Sequence, residues 1–278
     1  MSGETPTGSY LTIAKVEAYI ARPQTPNGAA IIISTDVFGH KFKNTQIIAD
    51  KFAEAGYLTV VPDQFAGVPL PESLMERFLF LTLPRQSPTF LQAHFLDPVG
   101  KVFLGVGTMF KVLPWFVANK PPSKMPMFEQ LISELRSGAL GPVDKIGIQG
   151  YCYGGATCLA LGSREDSLID AFAVAHTQIS VPKDFESIKK PALFVAADHD
   201  WAFPKKEFEA AEDIVKKNGM QDRVQLSFYP GTFHGFAIRG SDDDPVVSEA
   251  KTKAFAESLK LFNAVLVQKP DKTPFASS

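Results

Sequence analysis

Residues 145–161 read KIGIQGYCYGGATCLAL. A strand-like run, Lys145 to Gln149, leads into Gly150-Tyr-Cys-Tyr-Gly154 and then a helix-like run, Gly155 to Leu161. Where a strand turns sharply into a helix, little room is left for side chains beside the apex of the turn, so glycine is favoured on both sides. The apex residue is Cys152. It stands at the end of the strand, clear of the turn, which is where a strand–turn–helix elbow holds a nucleophile. Serine is the usual occupant of such a turn. A thiol there narrows the reactions open to the chain.

Working outward, strands and helices alternate. Ala29 to Thr35 (AAIIIST) is a wholly apolar run with the look of a buried parallel strand. Tyr57 to Val61, Ile169 to Ala175, Ala192 to Ala197 and Gln225 to Tyr229 follow the same pattern. Between and after them lie helical periodicities at Asn44 to Ala55 (stopped by Gly56), Pro126 to Arg136, Lys206 to Lys217 and Val246 to Leu266. The expectation is an α/β fold: a mostly parallel sheet flanked by helices, its site at the carboxyl ends of the strands.

The alternation lapses from Phe65 to Lys124, a stretch with eight Phe, one Trp and eight Pro. Structureless loops of that length are rare in a compact domain. Residues 66–124 are therefore expected to form a helical cap inserted into one domain spanning 1–278, the alternative being an ordinary pair of core helices. Within it, Val102 to Ala118 is strongly apolar. It falls short of the ~20 residues a membrane span requires and is broken by Lys111 and Pro114.

Twenty-eight basic and thirty acidic residues give a net charge of −2, so no basic field draws in nucleic acid or anionic lipid. The two cysteines, Cys152 and Cys158, form no disulfide framework. Free thiols and an N-terminus with neither a basic region nor an apolar core point to the cytoplasm. No metal-ligand or nucleotide-binding motif occurs, and no cofactor is expected.

A thiol titrates at about 8.5 in water and needs a base to attack at neutral pH. Five histidines are available: His40, His94, His176, His199 and His234. His234 stands in a turn-forming loop after the last strand. His40 and His94 read as surface or cap residues, and Cys158 as core. Asp198 and Asp200 both follow the strand ending at Ala197. Asp200 is favoured because Asp198 is placed to end the strand. The order Cys152, Asp200, His234 is the nucleophile–acid–base order of the α/β-hydrolase fold.

The blocks Gly-Tyr-Cys-Tyr-Gly-Gly, Asp200-Trp-Ala-Phe-Pro204 and Phe233-His-Gly-Phe236 resemble those of the dienelactone hydrolase family. Thr35-Asp-Val-Phe-Gly-His-Lys-Phe42 resembles its fungal-type branch. The resemblance implies that Cys152 is the nucleophile, Asp200 orients and His234 is the base. It also implies an oxyanion hole made by the N–H groups of Val37 and Tyr153. Asp36 takes the place of a family Glu that holds the resting thiol, and with its shorter side chain suits loop anchoring. Arg239 lies close to the place of an arginine that binds the substrate carboxylate. Arg77 and Arg85 are candidates for a second one.

A thiolate leaves a tetrahedral adduct more readily than an alkoxide or an amide. Only substrates with comparably good leaving groups go forward, which means enol lactones, aryl esters and thioesters. The expected activity is hydrolysis of an activated ester or lactone, a small molecule, through a thioester acyl-enzyme. The Phe-rich cap argues for a substrate larger and more apolar than a small dianionic lactone. A homodimer is compatible with the chain. The alternatives are a thioesterase or general carboxylesterase, and a catalytically idle relative that binds a ligand or senses oxidants through Cys152.

Overall fold

The computed structural model describes residues 3–71, 73, 110, 112–181 and 183–267. Within these, eight strands form one sheet: β1 (Ser9–Ile13), β2 (Val16–Ala21), β3 (Ala29–Ser34), β4 (Leu58–Pro62), β5 (Lys145–Tyr151), β6 (Ala171–Ala175), β7 (Ala192–His199) and β8 (Val224–Phe233). Their order is β1-β2-β4-β3-β5-β6-β7-β8. β3 to β8 run parallel, and β1 and β2 are antiparallel to their neighbours. The longer helices are α1 (Lys43–Glu54), α2 (Met125–Arg136), α3 (Gly155–Gly162), α4 (Lys205–Lys217) and α5 (Pro245–Phe262).

The apolar run that predicted β3 is buried along its whole length. Successive residues feed opposite layers. Ala30 and Ile32 join the cluster holding Phe128 and Leu131 of α2, Cys158 of α3 and Phe208 of α4. Ile31 and Ile33 join the cluster holding Phe52 of α1 and Phe262 of α5. Each such isoleucine contributes about 1.5–3 kcal/mol on burial, so two-sided burial makes β3 the spine of the sheet. α1 stops at Gly56, whose φ of +98° suits only a residue without Cβ. α5 begins at Asp244, whose carboxylate accepts from the N–H groups of Val246 and Val247, with Pro245 in the first turn.

The β1–β2 hairpin is an addition to the expected architecture. Its two-residue turn, Ala14-Lys15, takes φ of +50° and +63°. The expected cap, 66–124, falls mostly outside the described residues. Its described ends are 66–71 and 112–124, where 112–118 are helical. Val112 and Trp115 of that stretch pack with Val37, Phe38, Phe65 and Tyr153 in a third apolar cluster above the carboxyl edge of the sheet. Among the described residues no helix is long and apolar enough to cross a membrane.

Candidate active site

The elbow is built by exclusion. A Cβ on Gly150 would lie 2.6 Å from the Cys158 Sγ, and one on Gly154 would lie 2.0 Å from the Ser34 carbonyl oxygen. A Cβ on Gly155 would strike the Thr177 Oγ1 at 2.0 Å. These distances leave no space for any side chain, and β5 passes into α3 through a single 3-10 turn. Cys152 has φ of +50°, a left-handed conformation that a non-glycine residue adopts only under constraint. The Thr177 hydroxyl donates to the Cys152 carbonyl at 2.6 Å and pins the apex. The thiol stays half-exposed.

The ends of β7 and β8 bring Asp200 and His234 to that thiol. The His234 Nε2 lies 3.1 Å from the Cys152 Sγ, and its Nδ1 lies 2.8 Å from the Asp200 Oδ1. Asp200 Oδ1 also accepts the Ala202 N–H at 2.8 Å, which fixes the carboxylate. Facing Asp200, Nδ1 carries the proton and turns Nε2 toward sulfur. Asp198 instead accepts the Gly231 N–H at 3.0 Å and ties the ends of β7 and β8 together.

Burial works against a charge on His234. The negative charge of Cys152 and the hydrogen bonds to Asp200 and Cys152 outweigh it and raise the imidazolium pKa to about 10. Two rings clamp this imidazole. Trp201, largely exposed, stacks on it with centroids 5.2 Å apart and planes 26° apart. His176 meets it on the buried side at 5.2 Å and 65°.

His176, at the end of β6, has no exposure to solvent, and neither of its ring nitrogens has a hydrogen-bond partner among the described residues. Burial first, then the charges of His234 and Arg239, hold it well below the usual imidazole range, so it is neutral. An unpaired buried polar group costs about 1–3 kcal/mol. In the sequence His176 is only one histidine of five. Its signal is that it directly follows an apolar strand, at the sheet's carboxyl edge.

Asp36 accepts the Phe38 N–H at 3.0 Å through Oδ1, and its Oδ2 lies 3.6 Å from the Arg239 Nε. The Arg239 guanidinium lies 5.3 Å over the Phe38 ring. Asp36 thus ties the loop after β3 to the segment that follows His234. Val37, Tyr153, Cys152 and His234 share the wall of a cavity of about 340 Å³ with Arg239. The remaining wall is largely apolar: Val112, Leu113 and Phe116 from above, Trp201 from the side, and one further cation, Lys120.

His40 corrects its surface assignment. It is buried, with Nε2 2.9 Å from Glu17 and Nδ1 3.5 Å from Asp63. Burial disfavours its charge, but bonds to Asp63 and Glu17 prevail and raise its pKa. His199 lies on the edge of the same region, its ring stacked on Phe233. His94, Arg77 and Arg85 lie outside the described residues.

A mostly parallel eight-stranded sheet with a sharp strand–turn–helix elbow after β5 defines an α/β-hydrolase. Within that class the chain belongs to the dienelactone hydrolase family, whose model matches residues 16–87 and 110–266, and it is an ester or lactone hydrolase. Hydrolase tropI of Talaromyces stipitatus is 28% identical over 265 residues, covering 95% of this chain and 92% of that protein. The human carboxymethylenebutenolidase homolog is 24% identical, covering 88% and 87%. The fold is shared with the crystal structure of dienelactone hydrolase from Anabaena variabilis, at a TM-score of 0.56 and 12% identity over 94% of this chain and 97% of that one.

Proposed function

We propose that the chain hydrolyses activated esters or lactones through a Cys152–His234–Asp200 triad and a thioester acyl-enzyme. The observation that carries this reading is the run of contacts Sγ to Nε2 at 3.1 Å and Nδ1 to Oδ1 at 2.8 Å, opening on an apolar cavity. The Cys152 thiolate attacks the substrate carbonyl, forming the C–S bond. The oxyanion settles on the N–H groups of Val37 and Tyr153. As the adduct collapses, the C–O bond breaks and the His234 imidazolium gives its proton to the departing oxygen. His234, now neutral, takes a proton from water, and the resulting hydroxide cleaves the thioester. The acid leaves and the thiolate–imidazolium pair returns.

Residues 66–124 act as a cap on the single domain, and Arg239 meets a carboxylate on the substrate while Asp36 holds it in place. The apolar wall favours bulky aryl or enol esters over small dianionic lactones, because apolar area removed from water contributes about 25 cal/mol per Å². Free thiols suit a reducing compartment such as the cytoplasm.

The test is turnover of a 4-nitrophenyl ester series beside a small dianionic lactone, with intact-mass detection of an acyl adduct. Burst kinetics, an adduct mapped to Cys152 and its loss in C152A are expected. Full activity in C152A, or an adduct elsewhere, would overturn the proposal. A strong preference for the small dianion would overturn the substrate class alone.

A further inference from the structure

We propose that His176 is a positioning residue for His234: a buried imidazole that fixes the plane of the catalytic ring and supports its cationic form from the buried side. This rests on the triad reading above.

Three departures from ordinary packing coincide at this residue. Both ring nitrogens are buried without partners among the described residues. The backbone has φ of +42°, a left-handed conformation held in place by the His176 N–H donating to the Val195 carbonyl at 2.9 Å. The side chain has no exposure at all. Phenylalanine would fill nearly the same space with neither nitrogen to leave unpaired. Orphaned polar atoms and strained backbone persist where function holds them.

The ring's surroundings say what that function is. Facing it are Tyr151 at 5.9 Å, Phe236 at 6.2 Å and His234 at 5.2 Å between ring centroids. Arg239 adds its charge from nearby. Tyr151 and Phe236 leave the ring little freedom to turn. The His234 ring packs against both this ring and the Trp201 indole, 5.2 Å from each, which restricts its rotation away from the Cys152 Sγ. A neutral imidazole has a larger dipole than a phenyl ring. Beside an imidazolium, it takes the tautomer whose dipole favours that charge.

The test compares the parent with H176F, and with H176Q if the phenyl variant fails to pack. Thermal unfolding checks folding, and H176F is expected to melt higher because the unpaired nitrogens are gone. Its kcat should fall about tenfold with KM little changed. The alkaline limb of kcat/KM, which follows loss of the His234 imidazolium, should move about one pH unit toward neutrality, a tenfold weakening of that protonated state. NMR titration of the His234 ring should show the same displacement. Unchanged pH profile and titration in a folded H176F would overturn the inference, as would a loss confined to KM. If the parent turned over no ester yet the titration still moved, the hydrolase proposal would fail while the link between the two rings stood.

Discussion

Cys152 and Cys158 are six positions apart, and their surroundings make them different reagents. Cys152 sits half-exposed at the bend, with an imidazole nitrogen 3.1 Å from its sulfur. Cys158 sits one turn into α3 with no exposure, and burial pushes its thiol far up the pKa scale. Its sulfur occupies the space that a Cβ on Gly150 would need. One thiol is held out to react, while the other fills the floor beneath it. Reactivity is decided by charge and access in the first shell around sulfur.

The sharpest way to break this contrast is C152A beside C158A. The first should lose on the order of 10³-fold or more in kcat on aryl esters, while the second stays within a few-fold of the parent. Comparable losses in both would erase the distinction. Next in size is G154A, whose added methyl meets the Ser34 carbonyl. Chemical denaturation should show a loss of about 4 kcal/mol or failure to fold. Near-parental stability would mean that the bend is not sterically locked.

A smaller effect sharpens the electrostatic half of the contrast. In C152A the main support of the His234 charge is gone, so the ring's NMR titration should drop from about 10 toward ordinary imidazole values. For C158S, a hydroxyl beneath the bend should cost about 1–3 kcal/mol with the thiol chemistry intact. Iodoacetamide should label Cys152 in the native protein and Cys158 only after unfolding. Last comes the pH dependence of folding. His234 titrates higher folded than unfolded, so its contribution is full below about pH 6.5 and declines as pH rises, vanishing past about 10. Unfolding free energies measured across that window check the sign.

Much of this architecture is written in local patterns. AAIIIST, KIGIQ and ALFVAA are strands because their apolar runs are buried on both faces, and each ends where a site residue begins. The β1–β2 hairpin escapes such reading for a physical reason. β1 is an edge strand with mostly exposed residues, and its turn uses Ala14-Lys15 at positive φ where Asn-Gly would have been a signal. Missing that hairpin hides Glu17, one of the two carboxylates that bury His40. His176 is silent for another reason. A buried, unpaired histidine has no periodicity or motif, and its contact with His234 exists only once β6 and β8 are placed in space. Of the two carboxylates at the end of β7, Asp200 lies beside the His234 imidazole and Asp198 does not, because the strand passes through Asp198 before the chain turns.

The chain has two tryptophans, and the fold gives them unlike surroundings. Trp115 is buried and donates its indole N–H to the Val68 carbonyl at 2.8 Å. Trp201 lies open to solvent, stacked on the His234 ring. Protonated imidazole quenches indole emission, so the red-shifted component of the fluorescence should brighten when His234 loses its proton and change again when a guest fills the cavity. The blue component from Trp115 serves as an internal standard. The protein thus carries its own optical readout of catalytic state, without any attached dye.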